Sequence, residues 1–144
     1  MTASSPTFPP AVQRVVETAL YVDDLARAVD FYRRVLGLEP MFHDRRLAAF
    51  PVGSSVLLLF LRGSTTTAVE LPGGRIPPHD GAGPLHIALA IEPASVDAWE
   101  HWLADQKVEI EGRTDWPSGS RSLYFRDPDR HLVELVTPGL WKNY

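Results

Sequence analysis

The chain has 144 residues, of which 44% are apolar, with 14 basic and 18 acidic side chains and a net charge of −4. This composition suits one compact domain, or two very small ones, with a real core, and the charge is too mild to recruit nucleic acid or a membrane surface by electrostatics alone. There is no cysteine, which excludes thiolate nucleophiles, disulfide frameworks and cysteine–zinc sites and leaves His, Asp and Glu to hold any metal.

Residues 1–13, "MTASSPTFPPAVQ", lack both a basic start and an apolar h-region and read as a flexible tail. No later segment approaches the roughly 18 uninterrupted apolar residues of a membrane span, so a cytoplasmic location is expected. The domain runs over residues 14–137. Its first element, "VVETALYV" over Val15 to Val22, alternates: Glu17, Ala19 and Tyr21 share one face, while Val16, Thr18, Leu20 and Val22 share the other, which should carry a helix. Asp23 or Asp24 can cap that helix, "LARAVDFYRRVLG", in which Leu25, Ala28, Tyr32, Val35 and Leu36 recur at helical spacing and Gly37 supplies the stop. Two strands, "RRLAAFPV" and "SSVLLLFLR", follow around a Pro/Gly/Ser turn and close a first module over about 14–63.

Residues 64–83 are rich in breakers and read as a connector or an active-site lid. A second module, about 84–137, has the same order: the strand "LHIALAI", the helix "PASVDAWEHWLADQ" with Val96, Trp99, Trp102 and Leu103 inward, and a hairpin of "RSLYFR" and "HLVELV" around "DPDR". Residues 138–144 form a C-terminal extension. Laid over each other, the halves place Glu17 opposite His86, Phe50 opposite Phe125 and Leu59 opposite Glu134.

Under this repeat Glu17 and His86 fall in the first strand of each half and Glu134 in the last strand of the second, each on the face away from the helix. A carboxylate in an apolar strand costs several kcal/mol unless a cation or dense hydrogen bonding compensates it. A divalent metal shared by Glu17, His86 and Glu134 would meet that need.

The segments "ETALYVDDLARAVDFYRRVLGLEP", "LHIALAI" and "SLYFRDPDRHLVELV" together strongly resemble the vicinal oxygen chelate superfamily of glyoxalases, bleomycin-resistance proteins and extradiol dioxygenases. The resemblance implies an α+β fold of two tandem βαβββ modules, forming a cup-shaped mixed sheet with flanking helices, often completed by a second chain. It places the metal ligands at Glu17, His86 and Glu134. With Glu at position 17 the two-histidine, one-carboxylate set of extradiol dioxygenases is absent. The fourth ligand of glyoxalase I would fall at Leu58 or Leu59, which cannot coordinate. Arg130 replaces the usual glycine of the "DPDG" turn.

This ligand set suits one divalent ion per site, Mn, Fe, Zn, Ni or Mg, acting as a Lewis acid on a small substrate with two neighbouring oxygens. Glu17 or Glu134 is the candidate acid/base. Tyr21, His79, Trp116, Arg121 and Tyr124 are candidate substrate contacts, with His79 brought in by the connector. The rival expectation is a metal-free binding protein of the bleomycin-resistance type, with Tyr21, Tyr124 and Trp116 as stacking walls. A homodimer is expected, since edge strands of small sheets need covering.

Overall fold

The alternating segment "ETALYV" becomes strand β1 (Glu17–Val22) in the computed structural model, which describes residues 4 and 7–144. The other residues of the N-terminal tail, 1–3, 5 and 6, lie outside that description, and residues 7–16 carry no strand or helix. Leu20 and Val22 are buried while Glu17 is exposed, as alternation requires. Helix α1 (Leu25–Leu36) starts on Asp24, whose carboxylate accepts from the Arg27 backbone N–H at 3.0 Å, and ends on Gly37 at φ +68. Its inward face holds Leu25, Ala28, Tyr32 and Val35 as expected, together with Val29 and Phe31.

Strands β2 (Phe42–His43), β3 (Leu47–Val52) and β4 (Ser55–Leu61) complete the first module. The connector is not featureless: β5 (Val69–Leu71) and β6 (Gly74–Ile76) form a hairpin around Pro72–Gly73. The second module comprises β7 (His86–Ala90), α2 (Val96–Asp105), β8 (Gly112–Asp115), β9 (Arg121–Arg126) and β10 (Leu132–Val136). In α2 the expected inward set is half right. Val96 and Leu103 are buried, Trp99 packs at the core margin, and Trp102 is 42% exposed with its indole N–H donating to the Val35 carbonyl at 2.7 Å.

The two sheets have the same order, β1-β4-β3-β2 and β7-β10-β9-β8, with the first and last strands of each module paired in parallel across a helical crossover. This is a duplicated βαβββ unit, and both sheets are mixed. Within one chain the sheets are separate, so each module has its own helix-free face. The helix-bearing faces share one core that includes Tyr32, Phe50 and Leu59 from the first module and Leu103, Phe125 and Val133 from the second. Each fully buried Leu or Phe there contributes on the order of 1.5–3 kcal/mol.

Strand register corrects the repeat at one point. Glu134 lies beside Ala88 on β7, while Ala19, the β1 residue matching Ala88, lies beside Leu58. Leu58 therefore matches Glu134, and Leu59 is fully buried in the core. A shift of one residue along a strand exchanges its faces, and the longer β9–β10 turn hides the shift when sequences alone are overlaid.

Between the modules, side chains make the join. The Tyr32 hydroxyl donates to Asp127 at 2.8 Å, the backbone N–H of Asp23 donates to Asp129 at 2.8 Å, and the Phe31 and Phe125 rings lie 6.3 Å apart. Burial pushes Asp127 above the usual carboxylate range, and burial together with the Asp127 charge raises Tyr32 well above an ordinary phenol.

Candidate metal and ligand site

Parallel pairing of β7 with β10 sets Leu132 beside His86 and Glu134 beside Ala88, so His86 and Glu134 emerge on the same face one step apart. His86 Nε2 lies 3.2 Å from Glu134 Oε1. On its other side His86 Nδ1 is 2.9 Å from the Leu132 carbonyl oxygen. A carbonyl can only accept, so Nδ1 carries the hydrogen. In the neutral ring Nε2 then presents a lone pair to the carboxylate.

Glu134 is buried at 4% exposure. Its second oxygen, Oε2, accepts from the Ser122 hydroxyl at 2.6 Å, and Ser122 accepts in turn from the Trp116 indole N–H at 2.8 Å. Tyr124 faces Glu134 across the β9–β10 ladder, with its ring 6.5 Å from that of His86. Tyr124 thus stands beside His86 and Glu134, and Trp116 acts as a hydrogen-bond donor behind the carboxylate. Arg121 does not reach it. By alternation it shares the side of Leu123 and Phe125, and its guanidinium pairs with Asp115 at 2.9 Å.

Glu17 belongs to the other helix-free face. Among the described residues no three metal donors come together, so one chain does not unite Glu17 with His86 and Glu134: they stand on separate sheets. Glu17 instead lines a pocket on the first module with Arg46, Leu58, Phe60, Ile76 and His79. Here the connector folds back. His79 and Thr65 exchange bonds, the His79 N–H donating to the Thr65 carbonyl at 2.9 Å and the Thr65 hydroxyl donating to the His79 carbonyl. His79 Nδ1 is 2.7 Å from the Tyr21 hydroxyl, its ring centroid is 4.7 Å from that of Phe60, and Tyr21 stacks on Phe60 at 6.0 Å. Gly81 packs on the Tyr21 ring so closely that a β-carbon would overlap it.

Ser122 and Arg46 are the site residues that the sequence did not single out. A serine on a hairpin strand has one weak signal, the alternation that puts it on the Glu134 face; an arginine at the entry to β3 has none.

The donor chemistry fits a metal. A buried carboxylate with one hydroxyl donor, beside an imidazole whose tautomer is set by a backbone carbonyl, is the support that ligating histidine and carboxylate pairs use.

Comparison with known proteins agrees with the duplicated fold. Residues 14–135 match the model of the Glyoxalase/Bleomycin resistance protein/Dioxygenase superfamily. The metallothiol transferase FosB of Staphylococcus saprophyticus is 29% identical over 127 residues, covering 88% of this chain and 78% of that one. FosB of Staphylococcus haemolyticus is 30% identical over 120 residues, covering 83% and 79%. The crystal structure of lactoylglutathione lyase from Agrobacterium tumefaciens superposes with a TM-score of 0.82 at 36% identity, over 93% of this chain and 98% of that one. The fosfomycin resistance protein FosX of Listeria monocytogenes shares the fold at a TM-score of 0.66 and 21% identity, over 90% and 97%. With its two βαβββ modules and a family match spanning most of its length, the chain belongs to the glyoxalase/bleomycin resistance protein/dioxygenase superfamily.

Proposed function

We propose that the protein is a divalent-metal-dependent enzyme acting on a small oxygen-bearing substrate, with His86 and Glu134 of one subunit and Glu17 of a second copy as ligands. The observation that carries this reading is the approach of His86 Nε2 to Glu134 Oε1 at 3.2 Å while Nδ1 faces a carbonyl. Two lone-pair-bearing atoms at that separation repel unless positive charge lies between them or one is protonated. The similarity to metallothiol transferases and to a lactoylglutathione lyase supports the enzyme class, since both are enzyme names and one names a metal. A bound divalent ion supplies Lewis acidity toward a substrate oxygen.

The chain's own residues would do the rest. The Leu132 carbonyl fixes the His86 tautomer, Ser122 fixes the carboxylate plane of Glu134, and Trp116 fixes Ser122. Glu17 is exposed and makes no ion pair among the described residues, so its carboxylate is available to the ion and, if displaced from it by substrate, to accept a proton. The separation of Glu17 from His86 and Glu134 within one chain supports a site completed by a homodimer.

Titration of chelator-stripped protein with Mn²⁺, Zn²⁺ and Ni²⁺ tests the reading. About one ion per chain is expected, with a loss of at least tenfold in affinity in His86→Ala and Glu134→Gln, at or beyond the effect of removing supporting groups alone. Mixing Glu17→Ala with Glu134→Gln protein should rebuild one intact site per mixed dimer. Wild-type protein that takes up no divalent ion and binds a flat aromatic ligand instead would replace this reading with sequestration.

A further inference from the structure

The pocket on the first module contains an arginine whose side chain makes no direct ion pair among the described residues, although Glu17 lines the same pocket and Asp44 lies nearby. Two arginines of the described chain are partly buried, Arg46 and Arg126. Arg126 is paired with Glu111 at 2.9 Å, whereas the Arg46 side chain makes no hydrogen bond or ion pair among the described residues. Its backbone is pinned all the same. The N–H donates to Asp44 at 2.7 Å, and the carbonyl accepts from Leu61 at 2.8 Å. An arginine that is partly buried as a residue and held at its root, with its five side-chain donors unpaired among the described residues, can take a partner from outside the chain.

The surroundings say what kind of partner. The pocket encloses about 190 Å³, below the ~300 Å³ at which drug-sized sites begin. Leu58 and Phe60 line it from β4 and Ile76 from the connector hairpin, so the body of the ligand meets apolar surface. His79 lines the same pocket and is locked in place by Tyr21 and Thr65. In the tautomer in which Nδ1 accepts from the Tyr21 phenol, the Nε2–H of His79 is a second donor for the ligand.

We propose that this pocket selects a compact substrate bearing a carboxylate on a short apolar chain, with Arg46 as the specificity-determining cation and His79 as a second donor. The assignment deepens the metal-enzyme reading and rests on it only in taking Glu17, which lines the same pocket, to be neutralised by the ion. A single guanidinium balances one negative charge. A phosphate-type dianion would leave a second charge facing the apolar walls and Glu17, and so fits less well.

The test uses full-length protein with saturating Mn²⁺, so that Glu17 is neutralised, titrated with butyrate, butylphosphonate, butylammonium and 1-butanol. Butyrate should bind best, and Arg46→Ala should weaken it about tenfold, as loss of a bidentate guanidinium–carboxylate pair does. Arg46→Met, which keeps the apolar stem, should weaken it alike. Since the Arg46 head makes no ion pair or hydrogen bond among the described residues, both variants should keep the wild-type melting profile and lose no metal affinity. Glu17→Gln should bind butyrate as well as or better than wild type while losing metal. Failure of the metal reading would show as unchanged metal affinity in Glu17→Gln and leaves the butyrate result standing. Preference for butylammonium or butylphosphonate, no binding of any probe, or unchanged butyrate affinity in both Arg46 variants would overturn the proposal.

Discussion

His131 Nε2 lies 2.8 Å from the backbone carbonyl of Tyr21, which places a histidine of the second module against the first strand of the first. The ring is 1% exposed, and its Nδ1 accepts from the Leu85 backbone N–H at 2.8 Å. One imidazole thus satisfies a carbonyl in β1 and an amide just ahead of β7. Replacement by alanine leaves both groups unpaired and opens a cavity, so His131→Ala should cost about 3 kcal/mol. Denaturant unfolding measures it; a loss below about 1 kcal/mol would mean that the modules are joined elsewhere.

Asp127 gives the fold a pH signature. Burial holds its carboxyl above the ordinary range, more than the bonds from Tyr32 and the His131 and Asp129 backbones lower it. A raised folded-state value means the contribution is fully present below the unfolded value of about 3.9 and is lost as pH rises through the folded one. The stability of wild type minus that of Asp127→Asn should therefore fall as pH climbs out of the acid range through that raised value. Urea unfolding at a series of pH values checks this, and a difference that rises across the same window would contradict it.

Gly81→Ala should loosen the connector. A methyl group at that position overlaps the Tyr21 ring, and the ring is held by His79 and Phe60. Overpacking of this kind costs about 1–3 kcal/mol when the ring cannot yield. If it yields, the Tyr21–His79 bond breaks instead. Either result changes the His79 ring resonances in NMR, whereas an unchanged spectrum with wild-type stability would show that the connector does not seat on Tyr21.

Arg130 occupies the left-handed region at φ +68, where glycine is favoured. A non-glycine residue there costs roughly 1–2 kcal/mol, and glycine returns part of the gain as unfolded-chain entropy of about 0.5–1 kcal/mol. The Arg130 head adds little to offset this, being 70% exposed and 4.0 Å from Glu111. Arg130→Gly should raise stability by about 0.5 kcal/mol, read as a small increase in melting temperature; a drop would mean that the head matters more than the backbone.

Much of the architecture was legible because its signals are periodic. Alternation in "ETALYV", the Asp24 cap and the Gly37 stop located β1 and α1, and the repeated order pointed to duplication. What escaped has physical causes. "FH" and "GRTD" are too short or too polar to alternate, so β2 and β8 left no trace. The connector hairpin has strands of three residues each, too short to show alternation, and in sequence its Pro–Gly turn looks like any other breaker. Leu58 and Leu59 are the same residue type, so composition could not tell which faces the pocket; only the ladder with β1 does. His131 gave no hint of its burial, since its partners are backbone atoms far away in the chain.

Among the described residues no ladder of main-chain hydrogen bonds links the two sheets, so their association is written in side chains, those of the shared core together with polar contacts such as Tyr32 to Asp127 and His131 to Tyr21. A chimaera that joins the front half of this gene to the back half of a relative should inherit a sound seam if those positions match. Descendants of one ancestral duplication could then have traded halves, and with them half a binding site, without first having to learn to fold again.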